Sequence, residues 1–217
     1  MSTQLNLKEI ERKAFRSTYQ DGLWDLYFGL IVICAAFFIY HPAGGYSPLN
    51  ILLMVCAVSV VYGLFWAGKK FITLPRMGQV QFGEQRKRRK RTMIIVLSAV
   101  VLIQVIFLSL QLWAWAHPEI GKNINSLLAD KAFMDLAVAS IGALMVGTGM
   151  SLIAFFIDFP RGYYIALMFS LAVFLMIYLN QPIYPIIIGI LIAIPGLVLL
   201  IRFLKKYPLP GKDSSRV

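Results

Sequence analysis

The chain has 217 residues, of which 59% are hydrophobic and only 14% are charged. A water-soluble domain carries roughly 25% charged residues, so this composition excludes an ordinary soluble domain. The net charge of +11 could suit nucleic acid, but most basic residues flank apolar runs, and we expect no nucleic-acid partner.

The first predicted element is an amphipathic helix over residues 5–20. Asn6 and Glu9 have the spacing of a capping box at its start. Such a helix can lie in the membrane interface with its basic side near anionic headgroups, or it can pack on the protein's own cytoplasmic loops. Both interpretations stay open, and residues 1–22 are assigned to this cytoplasmic interfacial segment.

Six apolar runs follow, and each is long enough to form a transmembrane helix. A span needs about 20 mostly apolar residues, because each helical residue rises about 1.5 Å across about 30 Å of hydrocarbon. The predicted spans are Leu23–Tyr40, Leu49–Ala67, Met93–Ala116, Phe133–Ile157, Tyr163–Leu179 and Tyr184–Leu204. The sequence therefore predicts an all-α integral membrane protein, a six-transmembrane-helix bundle over residues 23–204 with a cytoplasmic tail at 205–217.

The basic residues fall almost entirely on one side of this bundle. Of the 21 Lys and Arg residues, 19 lie in the N-terminal arm, the second and fourth connections and the C-terminal end, and only Lys122 and Lys131 lie on the other side. Loops rich in Lys and Arg remain in the cytoplasm. We therefore expect an even number of spans, with both termini cytoplasmic.

The longest predicted cytoplasmic loop covers residues 69–91. Pro75 and Gly78 predict a turn, and the alternation around Val80 and Phe82 predicts a short extended segment. The loop closes with six consecutive basic residues, Arg86, Lys87, Arg88, Arg89, Lys90 and Arg91. Such a run can bind anionic lipid headgroups, or it can set orientation alone at a solvated helix start, which is the favoured interpretation.

Short similarities between segments indicate an internal repeat. Residues 71–76 resemble residues 156–161, and His41 and His117 are each followed by proline at an outer helix end. Three parallel helical hairpins would explain both, although the prolines are unequally spaced. The two histidines have no carboxylate or cysteine at ligand spacing beside them, so we expect no metal site and no cofactor.

Polar side chains inside the predicted spans are few, and burying one there is costly enough to mark function by default. Gln104 lies near the centre of the third span, and Gln111 shares its helix face. Hydrogen bonding between helices is the favoured interpretation of both. They are the candidate intramembrane polar residues.

Four further candidate binding residues lie at the cytoplasmic edge: Asp25, Arg76, Asp158 and Arg161. Asp25 shares a face with two glycines, which lets a neighbouring helix or a small solute approach its carboxylate. Alternatively, Asp25 has only a structural role, in which its negative charge stabilises the N-terminus of the helix. For Asp158 the alternative is local pairing with Arg161.

Small residues recur every four positions in three of the spans, which lets helix backbones come close. These ridges are Asp135, Ala139, Ala143, Gly147 and Ser151 in the fourth span, Ser59, Gly63 and Ala67 in the second, and Gly189 and Ala193 in the sixth. They predict close helix packing and make a homo-oligomer a reasonable expectation.

Two motifs resemble a group of uncharacterised prokaryotic six-span membrane proteins. They are Tyr19-Gln20-Asp21-Gly22-Leu23-Trp24-Asp25 at the first span and Thr73-x-Pro75-Arg76-x-Gly78-x-Val80-x-Phe82 in the loop. The similarity covers about a third of the chain. It implies a bacterial or archaeal cytoplasmic (inner) membrane and implies no particular activity.

Function classes can be ranked by the motifs that the sequence lacks. It has no HExxH or GxSxG motif and no cluster of acids, so we expect it not to be an enzyme. It has no acid at mid-membrane, where ion-coupled transporters bind their ions. The sequence favours a non-catalytic membrane component that binds lipid, including anionic lipid, or a partner. The alternative is a channel or transporter for a small solute or ion, formed within or between subunits.

Overall fold

The computed structural model describes residues 19–39, 48–77, 84–116 and 131–208. Within these ranges the chain is helical and contains no β-strand, which confirms the all-α prediction. The helices are α1 (Leu23–Ile39), α2 (Pro48–Gly68), α3 (Leu74–Met77), α4 (Glu84–Ala116), α5 (Lys131–Ile157), α6 (Arg161–Leu179) and α7 (Ile183–Lys206). A π-helical turn, Lys69–Thr73, joins α2 to α3.

Several described helices are long and apolar enough to cross a bilayer. Four meet this criterion, Leu49–Met77, Asp135–Ile157, Arg161–Leu179 and Ile183–Lys206, and Leu23–Phe37 is a shorter apolar helix. Large apolar side chains also stay exposed along them, as at Leu64 and Leu167. Water would make such extensive apolar exposure unfavourable, whereas lipid tails solvate it. These features indicate a membrane-embedded protein.

The segment predicted as a cytoplasmic loop is largely helical. Residues 69–77 continue α2, and α4 begins at Glu84, so the basic run forms the first turns of α4. Pro75 lies in helix α3 and not in the predicted turn. The π-helical turn directly before it already interrupts the usual α-helical hydrogen-bond pattern, so a residue without an N–H is tolerated there. Gly78 and the predicted extended segment lie outside the described residues.

Other predicted features also lie outside the described residues. They are most of the N-terminal helix over residues 5–20, both histidines at 41 and 117, and the tail beyond residue 208.

Helices α1, α2, α3 and α7 form one compact unit. Helix α1 packs against both α2 and α7. A Cβ on Gly29 would lie 2.7 Å from the carbonyl oxygen of Gly189, and a Cβ on Gly22 would collide with the carbonyl oxygen of Gly196. The order of these pairs makes α1 and α7 antiparallel, with their backbones in direct contact. The predicted packing ridge of the sixth span is confirmed at Gly189 and Ala193, which both face Gly29.

Helices α4, α5 and α6 form a second compact unit. The Ser170 hydroxyl of α6 donates a hydrogen bond of 2.8 Å to the carbonyl of Ala143, and Ser170 also lies over Gly147. Ala139 and Ala143 are buried. The small-residue ridge predicted on the fourth span is therefore a packing face for α6. Gly63, on the predicted ridge of α2, has no described atom within 4 Å of its Cβ position.

A tight turn separates α5 from α6 where Pro160 predicted a break. The N–H of Phe159 bonds to the carbonyl of Ala154 at 3.0 Å, and the N–H of Asp158 bonds to the carbonyl of Phe155 at 3.2 Å. These two bonds form a Schellman motif, with Asp158 in the left-handed conformation at φ 59°. The turn satisfies the last carbonyls of α5 and reverses the chain within a few residues.

The proposed sequence repeat does not describe how the helices are grouped. Residues 71–76 are helical throughout, whereas residues 156–161 contain the turn between α5 and α6 at residues 158–160. The compact units combine the first, second and last spans, and the third, fourth and fifth. Three sequential hairpins would instead pair each odd-numbered span with the next one. The observed grouping differs because close packing at glycines joins the first helix to the last.

Candidate functional site

A buried charge cluster lies where α1 begins and α2 passes into the π-helical turn. The Asp21 carboxylate is fully buried. Its Oδ2 accepts hydrogen bonds from Lys69 Nζ and from Thr73 Oγ1, each at 2.6 Å, and its Oδ1 accepts one from the backbone N–H of Leu23 at 3.2 Å. A buried charge needs a partner of opposite sign and hydrogen bonds to its remaining lone pairs, and Asp21 has both.

The π-helical turn supplies both side chains that reach Asp21. Lys69 and Thr73 are its first and last residues, and side chains four residues apart project from one side of a helix. The Leu74 N–H bonds to the carbonyl of Lys69, five residues back, which is the π-helical pattern. Such single turns inside longer helices are frequent at functional sites.

Aromatic rings enclose the Lys69 side of the cluster. The Lys69 ammonium lies 6.0 Å from the ring centre of Tyr19 and 5.9 Å from that of Phe65. Trp24 and Tyr27 of α1 pack on Phe65 of α2, with ring centres 4.8 and 4.7 Å apart. The Lys69 side chain is 22% exposed, whereas the Asp21 side chain has no exposed surface. We name Asp21, Lys69 and Thr73 the charge clamp.

Asp25, the candidate carboxylate, is buried one turn further along α1. Its Cβ lies 2.8 Å from the Cβ position of Gly196. The glycine-lined face that Asp25 was predicted to share is therefore occupied by α7. Arg76 belongs to the same unit and donates from Nη1 to the carbonyl of Ile72 at 3.0 Å.

Asp158 and Arg161 belong to the second unit, where both lie on the turn between α5 and α6. The Arg161 guanidinium lies 5.3 Å from the ring centre of Phe159, which is buried. Asp158 shapes the turn through its backbone. These two candidates share one structural element, and their role as a binding site stays a prediction.

The basic run also contributes to the second unit. Arg89 Nη2 donates a hydrogen bond of 2.7 Å to the carbonyl of Phe155, and its guanidinium lies 5.7 Å from the Phe155 ring. A cation at the C-terminus of a helix is favourable because the last carbonyls carry negative partial charge. Arg88, Lys90 and Arg91 are exposed. Arg89 thus has a structural contact, whereas binding of lipid headgroups by the exposed residues stays a prediction.

Gln104 lies beside a recess between α4 and α5. The recess has a volume of about 240 Å³ and is lined by Val100, Ile103, Gln104, Leu144, Met145 and Thr148. The lining is apolar apart from Gln104 and Thr148. The side chain of Gln111 lies outside the described residues.

No family model, curated protein or solved structure matches this chain significantly. The resemblance to a prokaryotic membrane group therefore stays a prediction.

The charge clamp is the arrangement that sequence reasoning missed. Asp21 and Thr73 were named from the sequence only as motif residues, and none of Asp21, Lys69 and Thr73 was a candidate binding residue. One signal was present in the sequence, because Asp21 and Thr73 belong to the two motifs on which the resemblance rests. A residue pair split between two motifs is a reason to expect spatial contact.

Proposed function

We propose that this chain is a six-span protein of the prokaryotic cytoplasmic membrane that acts as a non-catalytic component and binds lipid or a protein partner. Both termini lie in the cytoplasm. The antiparallel packing of α1 and α7 supports an even number of spans, and the distribution of basic residues supports the orientation.

The observation that carries the proposal is the closed charge clamp. Asp21, the most deeply buried charge described, accepts three hydrogen bonds from the protein itself and has no exposed surface. Asp25 lies against the backbone of α7. Asp21 is bonded to residues of the π-helical turn and Asp25 is enclosed by α7, so the apolar helix faces and the basic cytoplasmic residues are left as surfaces for recognition. Lipid and partner proteins have the matching chemistry.

A second candidate function is a pore formed beside Gln104. The recess between α4 and α5 favours this alternative because it places a carboxamide and the Thr148 hydroxyl at an open surface within the apolar part of the chain. The lining is otherwise apolar, which favours lipid or protein contact over a water-filled path.

Reconstitution of the full chain into liposomes tests the two functions against each other. We expect potassium efflux and glycerol uptake to equal those of protein-free liposomes, because Asp21 is closed off by protein contacts and the recess beside Gln104 is mostly apolar. Added phosphatidylglycerol should bind in preference to phosphatidylcholine, and neutralising Lys90 and Arg91 to Gln should reduce that preference. Efflux that Gln104→Leu abolishes and Ser59→Ala preserves would establish the pore instead.

A further inference from the structure

The recess between α4 and α5 has a polar residue at an unusual depth. Gln104 lies near the middle of the apolar segment Met93–Ala116, and that segment contains no ionisable residue. Its neighbours Ile103 and Val105 are 63% and 55% exposed. Within the second unit, α5 and α6 therefore leave this carboxamide among exposed apolar side chains at the centre of α4.

The Gln104 carboxamide needs a hydrogen-bonding partner at this depth. No hydrogen bond joins it to another residue that the structure describes. In hydrocarbon, an amide without a partner costs on the order of several kcal/mol, and lipid tails offer neither donor nor acceptor. An acyl chain could fill the recess volume, but it would leave the amide unsatisfied.

We propose that a second copy of this chain docks at this recess, with the two α4 helices crossing at Gln104. A carboxamide both donates and accepts, so two of them can exchange hydrogen bonds across a two-fold axis. The same chemistry makes the surface complementary to its own copy. The inference rests on the proposed membrane embedding, and it names the partner of that component.

The sequence spacing supports this crossing. Gln111 follows Gln104 by seven residues, which is the interval at which a left-handed helix pair brings successive residues back to its seam. Interhelical hydrogen bonds of polar side chains contribute about 0.6–2 kcal/mol in membranes. Gln104 pairing alone should therefore change the dimer equilibrium constant by about three- to thirtyfold.

Disulfide cross-linking in native membranes tests the surface. Cys56 is exposed and Cys34 is buried, so the test starts from Cys56→Ser. Val100→Cys places a thiol in the recess one turn before Gln104, and Leu102→Cys places the matched control at similar depth on the other side of α4. We expect a covalent dimer under mild oxidant from Val100→Cys and little from Leu102→Cys.

Energy transfer between labelled copies in liposomes measures the equilibrium without a cross-link. Gln104→Leu should weaken association at least threefold, whereas Gln104→Asn should largely retain it. Equal cross-linking at both positions, an adduct between Val100→Cys and a different protein, or association unchanged by Gln104→Leu would each overturn the proposal. Flux that Gln104→Leu leaves unchanged would overturn the proposed function alone. Flux that Gln104→Leu abolishes would overturn this interface as well, because water in a pore would then satisfy the carboxamide.

Discussion

Gly22→Ala should destabilise the protein by about 2–5 kcal/mol, whereas Gly63→Ala should be neutral or stabilising by about 0.5–1 kcal/mol. Two costs combine at Gly22. Its φ of 73° is in the left-handed region, which costs a residue with a Cβ about 1–2 kcal/mol. The added methyl would also meet the backbone of α7 at Gly196, and overpacking of this kind costs about 1–3 kcal/mol.

Two matched variants separate those costs. Gly29 is in the interior of α1, so Gly29→Ala retains only the clash with Gly189 and should lose about 1–3 kcal/mol. Gly63 is the control, because nothing described lies within 4 Å of its Cβ position and alanine is the better helix former. Unfolding by sodium dodecyl sulfate in mixed micelles, followed by tryptophan fluorescence, measures the differences. Equal stability of the three variants would refute the contact between α1 and α7.

The second large effect is expected at the charge clamp. Asp21→Asn leaves the Lys69 ammonium partly buried without its carboxylate, and Lys69→Met leaves the carboxylate without its cation. Removing one partner of a buried pair costs about 3–5 kcal/mol. The loss of stability should lie at the upper end of this range for Lys69→Met, because the Asp21 carboxylate that loses its cation is fully buried. It should lie somewhat below the range for Asp21→Asn, because the Lys69 side chain that loses its carboxylate is 22% exposed.

The double variant identifies the interaction itself. Asp21→Asn combined with Lys69→Met removes both charges, so it should cost about 1–3 kcal/mol less than the sum of the single changes. Lys70→Met is the control, because Lys70 is exposed and its ammonium lies 4.8 Å from the ring centre of Trp66. Surface changes of this kind stay within about 0.5 kcal/mol. Strict additivity of Asp21→Asn and Lys69→Met would contradict the clamp.

The helices were predictable because their physical cause is local. Apolar runs of sufficient length, the break at Pro160 and the four-residue ridge of α5 are all properties of neighbouring residues. The prediction of a loop was wrong at Pro75, which lies in a helix directly after a π-helical turn. The periodicity of apolar residues does not reveal such a turn, so nothing in the sequence indicated a helix there. Gly63 illustrates a different limit, since a small-residue ridge shows where close packing is possible and not where it occurs.

The charge clamp was not predictable from neighbouring residues, because its members are far apart in the sequence and close only in the fold. Asp21 meets Lys69 and Thr73 across 48 and 52 residues, and only the antiparallel packing of α1 on α2 brings them together. Asp25 was correctly placed on a glycine face, but its neighbour on that face is α7 at the far end of the chain. Predicting such contacts requires knowing which helices pack together, and a single sequence does not provide that information.

Thiol labelling of single cysteines in intact cells tests the membrane arrangement most directly. Starting from Cys56→Ser, cysteines at residues 5, 83 and 214 should react with a membrane-impermeant maleimide only after the membrane is opened, and a cysteine at residue 122 should react from outside. This pattern is expected from six spans with cytoplasmic termini. Labelling of residues 5 and 214 on opposite sides would contradict it, because antiparallel first and last spans require both ends on one side.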